Sequence, residues 1–247
     1  MVFMERVLLK ISYLGSNYHG WQVQPNGITV QQVLGEKLQQ MYKQKVNLTG
    51  CSRTDAGVHA SEFYCHYDTE LHIDEGGIVK GLNSVLPKDI AVLSADYVDA
   101  GFHARYSAKG KNYVYIIRNT TIHDPFLNGR AWHIERPLCV DKMNEFCNKI
   151  CGTHDFIGFS SSGRTVTDTV RTISECSVTR EGDNIIVSVS ADGFLYNMVR
   201  IIVGTAVEVS DGKIPLSDIE EILASKDRAR AGITAPPDGL YLNKVFY

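Results

Sequence analysis

The stretch TVRTISECSVTREGDNIIVSVSA, residues 169–191, sets two runs rich in β-branched residues on either side of Gly182-Asp183. It reads as two long strands, 169–179 and 184–191, joined by a hairpin whose turn holds that Gly-Asp pair. Working outward, a helix is expected over 195–209, after the hairpin, and another over 140–151, before it. Further strands are expected at 5–14, 46–48, 61–67, 91–98, 112–119 and 240–246. Thr29 is placed to cap an amphipathic helix, with Gln32 in the capping-box position and Val30, Val33, Leu34, Leu38, Met41 and Tyr42 on one face. A second helix is expected over 77–86, ended by Pro87. Strands and helices that alternate around a hairpin imply an α+β fold with a mixed or antiparallel sheet, and exclude a doubly wound parallel one. Strand–helix–strand order begins again near residue 100, so a soft boundary there divides the chain into 1–100 and 101–247.

The chain has 247 residues, with 25 basic and 28 acidic side chains and a net charge of −3. At about 100–200 residues per domain this is one large domain or two modest ones. A composition of 44% hydrophobic and 21% charged residues is that of a folded globular protein, not a disordered one. The mild acidity gives no global reason to expect a nucleic-acid partner. The most apolar stretch, 194–209, carries Asn197, Arg200 and Glu208 and is too short to span a bilayer. The first residues read as an alternating strand and not as a secretory leader, so a cytoplasmic location is expected. Six scattered cysteines read as free buried thiols. Cys147, Cys151 and His154 could offer three metal ligands, but Cys147 and Cys151 lie one helical turn apart, as core residues do, and no metal is expected.

Three places break local rules. The segment 50–60, Gly-Cys-Ser-Arg-Thr-Asp-Ala-Gly-Val-His-Ala, packs small residues around Arg53, Asp55 and His59 between two strands. It is either a ligand-facing loop or a turn in which Asp55 caps its own backbone. Arg200 interrupts a helix that is apolar nearly all round. Its guanidinium either snorkels to water or takes a carboxylate partner, for which Asp55 is a candidate. The run 100–123 holds Arg105, Lys109, Lys111 and Arg118 with Tyr106, Tyr113 and Tyr115 interleaved, and contains no acid. Cations among aromatics suit unstacked bases and their phosphates; the alternative is a solvated strand edge guarded by lysines. No phosphate-cradling loop, dinucleotide fingerprint or zincin motif is present.

The segment RTDAGVHA, 53–60, resembles the catalytic motif of the TruA-type tRNA pseudouridine synthases. Six further blocks are similar to that family in content and order: YLGSNYHGWQVQ (13–24), TVQQVL (29–34), FHARYSAKGKNYVYII (102–117), HDFIGFSS (154–161), FLYNMVRIIVG (194–204) and APPDGLYL (235–242). The resemblance implies two ferredoxin- or RRM-like halves, a continuous mixed, mainly antiparallel sheet with helices on one side, and a central cleft. It implies a cofactor-free isomerisation of uridine to pseudouridine in the anticodon stem-loop of tRNA, at positions 38 to 40, by a homodimer. Asp55 matches the essential carboxylate. Tyr113 matches the tyrosine that packs against the target base, and Arg53 the arginine that fills the space left by the flipped nucleotide or binds its phosphate. Arg200 and His59 are carried over as substrate-binding residues, and Arg105, Lys109 and Lys111 as RNA contacts. One position departs: the family commonly has Asp after the tyrosine of its first strand, where this chain has Leu14. Two other classes compete. A silent RNA-binding protein is disfavoured by the intact Arg-Thr-Asp. A glycoside hydrolase is disfavoured because it needs two carboxylates flanking the bond.

Overall fold

The computed structural model describes residues 4–163 and 167–247. The chain divides into two compact units, Met1–Lys109 with Tyr241–Tyr247, and Gly110–Leu240.

The first unit begins with β1 (Glu5–Tyr13), followed by α1 (Val30–Tyr42), β2 (Thr49–Gly50), β3 (His59–Thr69), α2 (Glu75–Val85) and β4 (Ile90–Val98). β1 lies between β3 and β4 and is antiparallel to both. Its odd positions Val7, Leu9, Ile11 and Tyr13 are buried, as are Val30, Leu34, Leu38 and Tyr42 of α1 and Ile78 and Leu82 of α2. Each fully buried aliphatic side chain contributes about 1.5–3 kcal/mol. On the opposite face Leu8 is also buried, while Arg6 pairs with Asp68 and Lys10 with Glu62 across the β1–β3 ladder. Thr29 caps α1 as expected, accepting the Gln32 N–H at 3.3 Å. The strand expected at 46–48 is instead the short β2, whose Thr49 and Gly50 are the residues that meet His66 and Cys65 of β3.

The second unit contains β5 (Gly110–Arg118), β6 (Trp132–His133), α3 (Val140–Ile150), β7 (Gly152–Asp155), β8 (Val170–Glu181), β9 (Asn184–Ala191), α4 (Met198–Ser210) and α5 (Ile219–Ser225). β5, β9, β8 and β7 pair antiparallel in that order, and β6 runs parallel to β5. The β8–β9 hairpin closes through Gly182 at φ +58°, a left-handed position that glycine takes without a Cβ clash. α4 begins three residues later than its apolar pattern suggests, because Asn197 sits at φ +60° and starts the helix at Met198.

The last strand, β10 (Leu240–Phe246), pairs parallel with β3 through Tyr241–His59 and Leu242–Ala60. The α+β class and the mixed, mainly antiparallel pairing expected from the sequence hold. Cys147 and Cys176 are buried, Cys151 is half-buried and Cys139 is exposed. The His154 ring meets the Cys151 carbonyl at 3.0 Å.

Candidate active site

The Arg-Thr-Asp loop of the first unit lies directly before β3, and a second loop, residues 14–21, is laced to it. The Gly57 N–H donates to the Tyr18 carbonyl at 3.2 Å, and the Trp21 N–H to the Thr54 carbonyl at 3.2 Å. The Tyr13 and Thr54 hydroxyls meet at 2.9 Å. The Gly15 N–H donates to Nδ1 of His59 at 2.9 Å. Within the Asp loop itself the Val58 N–H closes on the Asp55 carbonyl at 3.1 Å, with Gly57 at φ +81°.

This close approach depends on two glycines. A Cβ on Gly15 would stand 2.0 Å from the Val58 carbonyl oxygen, and one on Gly20 2.2 Å from that of Thr54. Neither backbone oxygen can yield without moving the Asp loop.

The 14–21 loop is anchored in turn by Asp89, just before β4. Its carboxylate accepts the Tyr18 hydroxyl at 2.6 Å and the Asn17 amide at 3.1 Å, while its carbonyl accepts the Leu14 N–H at 2.9 Å. Burial, with Asp89 beside it, pushes the Tyr18 hydroxyl well above its ordinary value, so it remains the donor. Ser12, Leu14, Ala60, Lys88, Asp89 and Ala91 line a hollow of about 250 Å³.

Asp55 is half-buried and Arg53 is exposed. His59 is fully buried, its ring stacked on Tyr241 at 4.5 Å. An imidazole that accepts at Nδ1 is neutral and carries its proton on Nε2. Arg105 and Lys109 are exposed in the same unit.

In the second unit, Tyr113 is buried on β5, edge-on to Phe194 at 5.0 Å. Lys111 is half-buried. Arg200 binds one residue twice: its Nε donates to the Ala235 carbonyl at 2.7 Å, and its own carbonyl accepts the Ala235 N–H at 3.1 Å. A third bond joins its Nη1 to the Asn197 side chain at 3.0 Å. Arg200 thereby fixes the start of the Ala-Pro-Pro-Asp-Gly segment. That segment is seated further by the Tyr115 hydroxyl, which donates to the Pro236 carbonyl at 2.7 Å.

Asp89, Tyr18, Tyr13 and Thr54 were not singled out by sequence reasoning. Their side-chain partners lie up to 72 residues away, and no local pattern marks such pairs.

The tRNA pseudouridine synthase family profile matches residues 10–107 and 146–247. The chain belongs to the tRNA pseudouridine synthase family. Arg53, Asp55, His59, Arg105 and Arg200 lie within the matched family residues; Lys109, Lys111 and Tyr113 lie between the two matched segments. Full-length relatives cover that gap. A tRNA pseudouridine synthase A of Thermoanaerobacter sp. is 47% identical over 99% of this chain and 100% of its own. A tRNA pseudouridine synthase A 2 of Clostridium perfringens is 43% identical over the same shares. The Staphylococcus aureus synthase is 42% identical over 98% of this chain and 90% of its own. Family membership makes the chain an isomerase of the tRNA pseudouridine synthase class, as the resemblance implied. Among the described residues no helix is long and apolar enough to cross a membrane.

Proposed function

We propose that this chain converts uridine to pseudouridine in the anticodon stem-loop of tRNA, at positions 38 to 40, with Asp55 as the essential carboxylate. The observation that carries this reading is the Asp55 turn, held at both ends by the 14–21 loop. A catalytic carboxylate needs a fixed direction of approach, and this lacing supplies it without using the carboxylate itself.

The reaction breaks the bond from the base nitrogen to the ribose, turns the uracil, and joins a ring carbon to the same sugar carbon. Nothing is oxidised or hydrolysed, and the ring carbon's proton is exchanged for one on the freed nitrogen. An ionised Asp55 serves equally as nucleophile toward the ribose, as nucleophile toward the base, or as base toward a sugar proton. Tyr113 packs against the base and keeps water from the cut bond. Arg53, exposed beside the catalytic residue, takes the phosphate or the space of the extruded nucleotide. Arg200 and His59 act on the substrate through the segments they hold. Lys109, Lys111 and Arg105 contact the RNA backbone. The working form is a homodimer in the cytoplasm.

The test is to incubate unmodified tRNA transcripts with the protein and map pseudouridine across the anticodon arm. Product at 38 to 40, lost in Asp55→Asn with tRNA binding retained, supports the reading. No product from several competent tRNAs overturns it, and turnover by Asp55→Asn overturns the assignment of the carboxylate.

A further inference from the structure

Residues 99–107 of the first unit form a turn whose backbone is gripped by three side chains from elsewhere in that unit. Arg6 donates to the carbonyls of Ala100 and Phe102 at 2.6 and 2.7 Å while paired with Asp68. Buried His66 accepts the Ala104 N–H at 3.2 Å through Nδ1. The Tyr247 hydroxyl donates to the Ala104 carbonyl at 2.8 Å. The turn is also closed on itself. His103 and Ser107 exchange two bonds, at 2.9 and 3.0 Å, and Nδ1 of His103 accepts the N–H groups of Arg105 and Tyr106 at 3.2 Å each.

So much anchoring supports a ring that points into water. Tyr106 is 77% exposed. One side of it is backed by the His103 ring, centroids 4.3 Å apart, and His103 leans edge-on against His66 at 4.9 Å. The Arg105 guanidinium stands 5.7 Å from the Tyr106 centroid. Among the described residues no acid pairs with that guanidinium, and the sequence from Ala100 to His123 contains none. An exposed aromatic ring that is already held in place binds without losing side-chain freedom.

We propose that Tyr106 is a stacking platform for one unpaired base of the RNA substrate, outside the Asp55 turn, with Arg105 taking the adjacent phosphate. The inference rests on the proposed action on tRNA and names a further subsite for that substrate. A base has a π-face that any aromatic ring accepts, and the unopposed cation matches the phosphate charge. Such a platform grips a nucleotide of the loop while another nucleotide is turned over at the carboxylate.

The experiment compares wild type with Tyr106→Ala, Tyr106→Phe and Arg105→Ala, measuring tRNA affinity across a salt series, pseudouridine formation, and oligomeric state by sedimentation. Tyr106→Ala is expected to bind about tenfold more weakly with an unchanged salt slope, and Tyr106→Phe to bind as wild type. Arg105→Ala is expected to flatten the slope by about one phosphate contact. Unchanged affinity in Tyr106→Ala overturns the platform, and equal losses in Phe and Ala overturn stacking in favour of a hydroxyl contact. A Tyr106→Ala variant that falls apart into monomers shows a second copy of the chain on the ring, which also overturns it. Each of these leaves wild-type pseudouridine formation intact. Wild type that forms no pseudouridine fails at the proposed function instead.

Discussion

The buried imidazole of His59, at the first position of β3, accepts the backbone N–H of Gly15 through Nδ1 at 2.9 Å. The bond ties the 14–21 loop to the strand that follows the Asp55 turn. It does so where a Cβ on residue 15 would lie 2.0 Å from the Val58 carbonyl oxygen. The backbones of the two loops are therefore in contact, and the position of Asp55 is a property of both.

Gly15→Ala is expected to cost about 1–3 kcal/mol, because the added carbon meets backbone and not a side-chain end that can swing away. Urea unfolding reads this as a lower midpoint with an unchanged slope. The Asp55 turn moves with the clash, so turnover falls well before the protein unfolds. Gly35→Ala is the contrast: it lies inside α1, where a Cβ has only ordinary contact with Leu48 at 3.7 Å. It is expected to stabilise the chain by about 0.5–1 kcal/mol through helix propensity. Equal midpoints for the two variants would refute the argument from close approach.

The same contrast shows what a sequence displays and what it hides. The strand 184–191 and the strand 240–246 are legible to the residue, because apolar patterning and turn residues are local signals. α4 begins three residues after its apolar pattern does, since Leu195 and Tyr196 continue that pattern while the left-handed backbone of Asn197 interrupts the helix. β7, with Gly-Thr-His-Asp, has no alternation to read, and α5 is only seven residues long. Asp55 was legible as part of a motif, whereas Asp89 was not, since its partners come together only after β1 and β4 have paired. Net charge misled for a related reason: a sum over the chain conceals an acid-free run such as 100–123.

Acid is expected to destabilise the first unit through His66. Burial lowers its pKa to about 4, with the neighbouring Arg6 and His103 acting in the same direction and Asp68 opposed. The unfolded chain takes up this proton near pH 6.5, its ordinary value, while the folded chain holds out to about pH 4. Between those values the unfolded state binds more protons, so stability falls as pH drops from 6.5 to 4, and His66 adds no slope above 6.5. His66→Asn places a non-titrating acceptor near the Ala104 N–H. Urea midpoints from pH 4 to 7 are expected to vary less in that variant than in wild type. Parallel profiles would remove His66 from the account.

Tyr113→Phe and Tyr113→Leu divide the work of that side chain. The ring sits edge-on to Phe194 at 5.0 Å, an arrangement that Phe keeps and Leu loses, at about 0.5–1.5 kcal/mol. Single-turnover rates on tRNA are expected to place Phe between wild type and Leu, with thermal stability reduced more in Leu than in Phe. If Phe turns over as wild type does, the hydroxyl takes no part in proton transfer. If Phe and Leu are equally slow, the hydroxyl carries the whole effect.

Arg200→Met tests whether that guanidinium works through the segment it holds. The substitution keeps the stem volume and removes the donors to Ala235 and Asn197, while the backbone bond to Ala235 remains. Lost turnover with little loss of tRNA affinity is the expected pattern, read as a kcat decrease at nearly constant KM. Arg200→Lys is expected to recover little, since a single ammonium cannot reproduce the fixed fork of the guanidinium. Full rescue by Lys would show that charge alone matters.

The Tyr18–Asp89 bond is accessible to a double-mutant cycle. At 2.6 Å between a hydroxyl and a carboxylate, it contributes about 1.5–3 kcal/mol. Tyr18→Phe removes only this bond, whereas Asp89→Asn also weakens the hold on Asn17 at 3.1 Å. The single substitutions are therefore expected to be unequal, Asn the more damaging, and their combination to cost less than the sum. The Tyr18 carbonyl carries the Gly57 N–H of the Asp55 turn. For that reason the same variants are expected to lower kcat at temperatures where all of them remain folded. Additive stability changes would show that the two residues act separately. Destabilised variants with wild-type kcat would confine the bond to stability, and the Asp55 turn would then not depend on Asp89.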